Sequence, residues 1–492
     1  MAKIIIVGGG VAGLSAGIYA QLCGHTAIIC EKHSNAGGNL TGWQREGYQI
    51  DNCIHWLTGT NPTTKGYRMW CELGALGDGV NIHYSDTLYT CSRDGQSVSL
   101  YLDIEATRAS MYAASPTDAE EIDEFISAVK AMMVIMGLGD KKVKNSLSSP
   151  RLLKYYFLST GELALGFKHP LLRDFICGVL GDSFGAIALV TVFAIFCGKN
   201  GGIPQGGSVA MANRMVNRFL GLGGQLYTKS EIVRIELEGK KAKRAVLSDG
   251  RTINGDYVIL TTDPVHAFNK LLGIKMPAAL RRKYDDPETV RFSSVHCAFA
   301  CDTDKPPFSA DHIFAMPNRY RELIGSKYLV LREFTHEKDF APTGKCVIQA
   351  MVFCNEKTAR EFIALSKDHP AYEEKKRELS KAFLYLIEEK FPSLSGKLRV
   401  IDVWTPATYK RYTNSDMGSY MSFILPPRSF PIQIRSRVKG VSNLFLATQW
   451  QRSPGGLPIA AECGRAAIKE ICAAEKRSRK AVEHKRLKPI EQ

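Results

Sequence analysis

Nothing in this 492-residue sequence constrains the fold more than residues 3–32, KIIIVGGGVAGLSAGIYAQLCGHTAIICEK. Ile4, Ile5, Ile6 and Val7 make a continuous apolar run, as a strand covered on both faces of a parallel sheet requires. Gly8, Gly10 and Gly13 then give G-x-G-x-x-G, with Gly17 four residues further on. The first glycine permits the tight turn, the second lets an anionic group reach backbone, and the third lets the helix pack closely on the strand. Val11 and Ala12 open that helix, where free N–H groups and a partial positive charge favour phosphate. Gly24 stops the helix, HTAIICEK reads as the next strand, and Glu31 closes it with Lys32 beside it. An acid there is placed to accept from a ribose diol and disfavours a 2′-phosphate, hence NADP. Together these predict a dinucleotide-binding α/β domain; a glycine-rich turn without a ligand is the plain alternative.

Composition excludes few classes. The apolar and charged fractions, 45% and 23%, are those of an ordinary globular protein. The net charge of +15, from 64 basic and 49 acidic residues, suits an anionic surface or a solvated basic face. No aromatic-interleaved basic motif of a nucleic-acid module is present, so no nucleic-acid partner is expected. The 13 cysteines include no CxxC pair, and no His/Cys cluster has zinc spacing, so no metal is expected. The sequence opens directly on a strand, without a leader-like stretch. That predicts a cytoplasmic protein with reduced thiols, free or peripheral on the inner face of a membrane. The longest apolar run, FGAIALVTVFAIFCG at 184–198, is too short for a span of ~20 residues and predicts a buried or tunnel-wall helix.

After the acid comes a second glycine pair, Gly37 and Gly38, followed by Asn39 and then GYQIDNCIHW at 47–56. Here the sequence resembles the FAD-dependent oxidoreductases that share a glycine pair after the second strand. These include amine oxidases, protoporphyrinogen oxidases and the carotenoid desaturase and isomerase group. The resemblance implies FAD, with the pair packed against its ribityl and phosphate region. Many members carry Arg after the pair; Asn39 stands there instead. The stretch 441–472, with P-G-G-x-P at 454–458, resembles the family's closing motif. It implies that Gly455, Gly456, Leu457 and Pro458 face the flavin pyrimidine, with Gln449 just before them. Pro458 itself has no N–H. The amine-oxidase branch usually has Gly-Glu before this loop, where this chain has Ala447-Thr448-Gln449. The stretch 198–264 resembles the phytoene-desaturase arrangement, implying adenine contacts by the Val233 backbone and a pyrophosphate-side place for Thr262. TPATYKRYTNSDMGSY at 405–420 resembles the TP-x-T segment of the same group.

The fold class expected is therefore α/β: a Rossmann-like FAD-binding domain from residues 1–72, 203–273 and 435–474. An inserted α+β substrate domain with a helical cap is expected from 73–202 and 274–434, and a basic tail from 475–492. A hairpin is expected about Asp94-Gly95. Two basic and apolar stretches, AMMVIMGLG (131–139) with KKVKN (141–145) and PRLLKYYFLST (150–160), suit either a membrane face or cap helices.

Side chains expected near a flavin are few. His55 is a candidate proton donor or flavin contact, with Trp56 next to it, although a lone histidine is more often structural. Arg452 is placed to hold a carboxylate or stabilise reduced flavin; a surface ion pair is the alternative. Tyr409 and Tyr412 are candidates for the tunnel lining or for packing. The family resemblance implies hydride transfer between flavin N5 and a C–C bond of a long apolar polyene or prenyl/acyl lipid. Desaturation, saturation and isomerisation share that geometry. The alternatives are a flavin oxidase or dehydrogenase of an amine or porphyrin, and a non-enzymatic prenyl-lipid binding protein of the GDP-dissociation-inhibitor type.

Overall fold

The computed structural model describes residues 1–139, 150–287, 289–428 and 433–486. The apolar run becomes the central strand β1 (Lys3–Val7), followed by α1 (Val11–Leu22) and β2 (Thr26–Cys30). Far along the chain come α2 (Gly207–Gly221), β3 (Gln225–Tyr227), β4 (Tyr257–Leu260), β5 (Leu444–Leu446) and α3 (Leu457–Arg486). The five strands form one parallel sheet in the order β3-β2-β1-β4-β5. Ile4, Ile5 and Ile6 are fully buried, as a doubly covered strand demands.

Glycine sets the distances between layers. A Cβ on Gly13 would lie 2.0 Å from the Gly8 carbonyl, so only glycine lets α1 start this close to β1. On the other side α3 packs on α1: a Cβ on Gly464 would lie 2.5 Å from the Ala12 carbonyl. There Ser15 Oγ donates to the Ala461 carbonyl at 2.7 Å. The last described helix is thus braced against the first.

The second layer is a seven-stranded sheet in the order Leu398–Trp404, Phe292–Cys301, Cys346–Asn355, Tyr328–Glu333, Asp311–Ala315, Thr87–Arg93 and Gln96–Tyr101. Its pairs are antiparallel except that between Asp311–Ala315 and Thr87–Arg93. The hairpin turns at Asp94 (φ 49°) and Gly95 (φ 79°), the left-handed pair of a two-residue loop.

Alternation along the strands sorts its faces. Leu329, Leu331, Ile348, Ala350 and Val352 share one core with Phe383 and Leu386 of the helix His369–Lys390. Val330 and Met351 point the other way, toward the helix Ala186–Cys197 and its neighbours. That helix is the long apolar run. Among the described residues, no helix is long and apolar enough to cross a membrane.

The KKVKN stretch, residues 141–145, lies outside the described residues, as does the tail beyond 486. All thirteen cysteines are free thiols. Among the described residues, no group of His, Cys, Asp and Glu is arranged to hold a metal.

Candidate active site

A cavity of about 640 Å³ runs between the parallel sheet and the second sheet. Its floor is the β1–α1 turn. Gly8 has φ 103°, and Gly10 caps α1 without any side-chain cap, so the first amides of the helix face the cavity unpaired. The second glycine pair closes on this turn: Gly37 forms a parallel bridge to Gly10, and a Cβ on Gly38 would lie 3.1 Å from the Gly10 Cα. Glu31 Oε2 accepts from the Gly9 amide at 2.8 Å and Oε1 from the His33 amide at 2.9 Å. These bonds fix the acid at the cavity wall with lone pairs to spare.

Two buried hydroxyls along the same wall, Thr262 Oγ1 and Ser419 Oγ, have no hydrogen-bond partner among the described residues. Unpaired amides, a ribose-height acid and orphaned hydroxyls around an elongated cleft fit a dinucleotide such as FAD.

The far end of the cleft carries the closing motif. Gly455 (φ 83°) and Gly456 (φ 86°) lead into α3. The Gly456 amide donates to Gln449 Oε1 at 2.8 Å, and Gln449 Nε2 donates to the Tyr420 carbonyl at 3.2 Å. Leu457 and Ile459 precede the first intrahelical bond, from the Ala460 amide to the Gly456 carbonyl, so their amides are the free ones at this terminus. Leu457 and Pro458 line the cavity, as do Lys32, Asn39, His55 and Trp56.

Residues 405–421 form a strap along the cleft. Its helix, Pro406–Thr413, ends at Asn414 in the left-handed region. Lys32 Nζ donates to the Arg411 carbonyl and to Asn414 Oδ1, both at 2.9 Å. Burial lowers the Lys32 ammonium below its ordinary value. The His33 ring stacks on Tyr412 at 3.9 Å, and its Nε2–H donates to the Tyr412 carbonyl at 2.7 Å. Asn414 Nδ2 donates to His266, and the Asp416 amide donates to Asp263 Oδ2 at 3.2 Å. Burial pushes the Asp263 carboxyl up to about 6.

The structure separates the side chains that the sequence grouped together. His55 borders the cavity; burial, then the charges of Arg332 and His296, hold its imidazole well below its ordinary value. Tyr412 lines the cavity but Tyr409 does not. Tyr409 is buried one layer behind, where its hydroxyl donates to Asn52 Oδ1 at 3.0 Å. Arg452 is also off the cavity wall; its carbonyl accepts from Ser422 Oγ at 3.0 Å. The Val233 side chain is exposed, and its place in the strand Ile232–Glu238 is a register shift that leaves it without a ladder partner; Glu231 and Ile232 line the cavity. Gly13 packs α1 and touches no cavity.

Sequence reasoning missed Asp263, His266, Asn414, Ser419, Asp311 and Arg332. Arg332 forks onto Asp311, with Nε–Oδ1 at 2.6 Å, and donates through Nη1 to the Ile54 carbonyl at 3.1 Å. Only an odd pair of charges in apolar strands, Asp311 in DHIFA and Arg332 in LVLRE, hints at this in the sequence.

A family model described as an NAD(P)-binding Rossmann-like domain matches residues 6–73. The chain is 24% identical to a phytoene desaturase (lycopene-forming) of Pseudescherichia vulneris over 93% of its own length and 96% of that protein. It is 24% identical to a chloroplastic prolycopene isomerase of an Oncidium hybrid cultivar over 85% of its length and 74% of that protein. A putrescine oxidase variant shares the fold with a TM-score of 0.63 at 14% identity, covering 96% of this chain and 99% of that one. A putative protoporphyrinogen oxidase from Exiguobacterium has a TM-score of 0.56 at 15% identity, covering 95% and 98%. The protein is an FAD-dependent oxidoreductase. In sequence it is similar to carotenoid-modifying enzymes, phytoene desaturases and prolycopene isomerases among them.

Proposed function

We propose that the protein exchanges hydride between FAD and a carbon–carbon bond of a long apolar polyene. The observation that supports this most is the cavity beyond the closing motif. There the wall is Phe184, Val192, Ile195, Phe292, Ile313 and Met351. The single carboxylate in that part, Asp311, is neutralised by Arg332. An amine or porphyrin substrate needs an uncompensated charge where this wall has none. FAD, when bound, supplies the hydride acceptor or donor. The chain supplies a dry slot that orients the polyene, the free amides of Leu457 and Ile459 near the closing loop, and the neutral imidazole of His55 at the wall.

The same reading gives a route of entry. Leu153, Phe157 and Leu165 are 50%, 46% and 71% exposed. The segment between them is tied to the cavity wall: the Ala186 amide donates to the Leu158 carbonyl at 2.8 Å and the Thr160 amide to the Phe184 carbonyl at 2.7 Å. This apolar shoulder is where the protein rests on a lipid surface that holds the substrate.

The test is anaerobic mixing of FAD-loaded protein with phytoene or prolycopene in micelles, followed by absorbance and chromatography. Flavin bleaching with a lengthened chromophore, or a change of isomer without net bleaching, is the expected result. A flavin spectrum indifferent to both polyenes, but bleached by an amine, would overturn the reading.

A further inference from the structure

Behind His55, away from the main cavity, lies a second pocket of about 10 Å³, close to what one water requires. It is bordered by His55, His296, Arg332 and Gln349. Gln349 is 6% exposed, and its Nε2 has no hydrogen-bond partner among the described residues. An amide donor that is buried and unpaired costs the protein its full desolvation, so it points to a ligand.

The surrounding bonds decide which hydrogens are available. Asn52 Nδ2 donates to the Asn39 carbonyl at 3.1 Å, which fixes the amide so that Asn52 Oδ1 is the acceptor of the Tyr409 hydroxyl. That uses the only proton of Tyr409. His296 Nε2 lies 3.2 Å from the same hydroxyl and 2.8 Å from the buried Ser294 Oγ, a group that can give or take the hydrogen, so either tautomer of His296 satisfies these contacts. His296 is neutral, because burial and then Arg332 bring its imidazole down to about 3. Arg332 uses three of its five N–H groups on Asp311 and the Ile54 carbonyl, leaving two.

We propose that this pocket binds one water, which accepts from Gln349 and Arg332 and donates to the pocket-side nitrogen of His55. The consequence is a fixed tautomer: His55 accepts on the pocket side and holds its N–H toward the main cavity. His55 is thus a donor to the reacting partners, and Gln349 is a positioning residue that acts on it through the water. The loop is clamped for this purpose. Asp51 accepts from the Cys53 and Ile54 amides at 3.0 and 3.2 Å, while Arg332 holds the Ile54 carbonyl. The functional part of this inference rests on the proposed polyene reaction; the water and the tautomer do not.

The test uses the FAD-loaded full chain. A high-resolution crystal structure should show ordered density within hydrogen-bond distance of Gln349 Nε2, and an empty, dry pocket overturns the proposal. Nitrogen-15 histidine NMR, with His55 assigned by the signals lost in His55→Asn, should show one neutral tautomer. Gln349→Leu should convert it to a mixture, and Gln349→Met serves if the leucine variant misfolds. Unchanged His55 signals in a folded variant overturn the proposal. With a polyene that the wild type turns over, the variant should lose about tenfold in kcat with KM unchanged; equal kcat overturns the donor role. If the wild type turns over no polyene, the substrate reading falls, and the density and NMR still decide the site.

Discussion

Both carboxylate oxygens of Glu31 are held by backbone amides, those of Gly9 and His33. Glu31→Ala removes these anchors together with the proposed ribose acceptor. Losing bonds of this kind is worth about 1–3 kcal/mol, so the affinity of the apoprotein for FAD should fall at least about fivefold in a fluorescence titration. A variant with full affinity would contradict this placement. Another prediction concerns His312, which is buried and shares a 2.7 Å bond with Ser92 Oγ. Burial, and then Lys390, lowers it from 6.5 to about 4. The unfolded chain therefore binds the proton first, and stability falls as pH drops from about 6.5 toward 4. Across that window the wild type should lose roughly 3 kcal/mol more than His312→Asn in denaturant titrations. Glu31 was legible because its distance from Gly8 carries its meaning. Gln349 and Asp263 were not, since each acquires its role only from strands or strap residues distant in sequence.

Between elements, the strap is the least expected feature. Lys32 and His33 sit at the end of β2 and grip a segment almost 400 residues later, through Arg411, Tyr412 and Asn414. Lys32→Met keeps the aliphatic stem and removes two charged bonds. Both FAD loading and FAD release should quicken, by about tenfold each, in stopped-flow fluorescence. Quickened release alone would show that Lys32 holds the cofactor and does not latch the strap. Packing of α1 and α3 was legible in part. The G-x-G-x-x-G spacing announces the close approach at Gly13, whereas nothing local marks Gly464 as the contact point of the two helices. The Asp94-Gly95 hairpin was readable from turn chemistry alone. The sequence grouped Tyr409 with Tyr412; in the structure Tyr412 lines the cavity, while Tyr409 lies behind it, its hydroxyl held by Asn52.

Across the molecule, the α/β class follows from the opening motif, while the site depends on how the two sheets face each other. The apolar shoulder gives a test at this scale. Replacing Leu153, Phe157 and Leu165 together by Glu should abolish co-sedimentation with phosphatidylglycerol vesicles while leaving FAD content unchanged. With a net charge of +15, wild-type binding should also weaken as salt rises. The parallel sheet has a further consequence for how the protein is made. β5 is more than 400 residues downstream of β2, yet it completes the sheet beside β4. At about 5–20 residues per second, a ribosome needs roughly 20–80 s to cover that interval. Throughout it the nascent chain carries an open, hydrophobic strand edge and a half-built nucleotide cradle. The cradle is therefore complete only once residues 444–457 have been made, so flavin binding follows synthesis of nearly the whole chain.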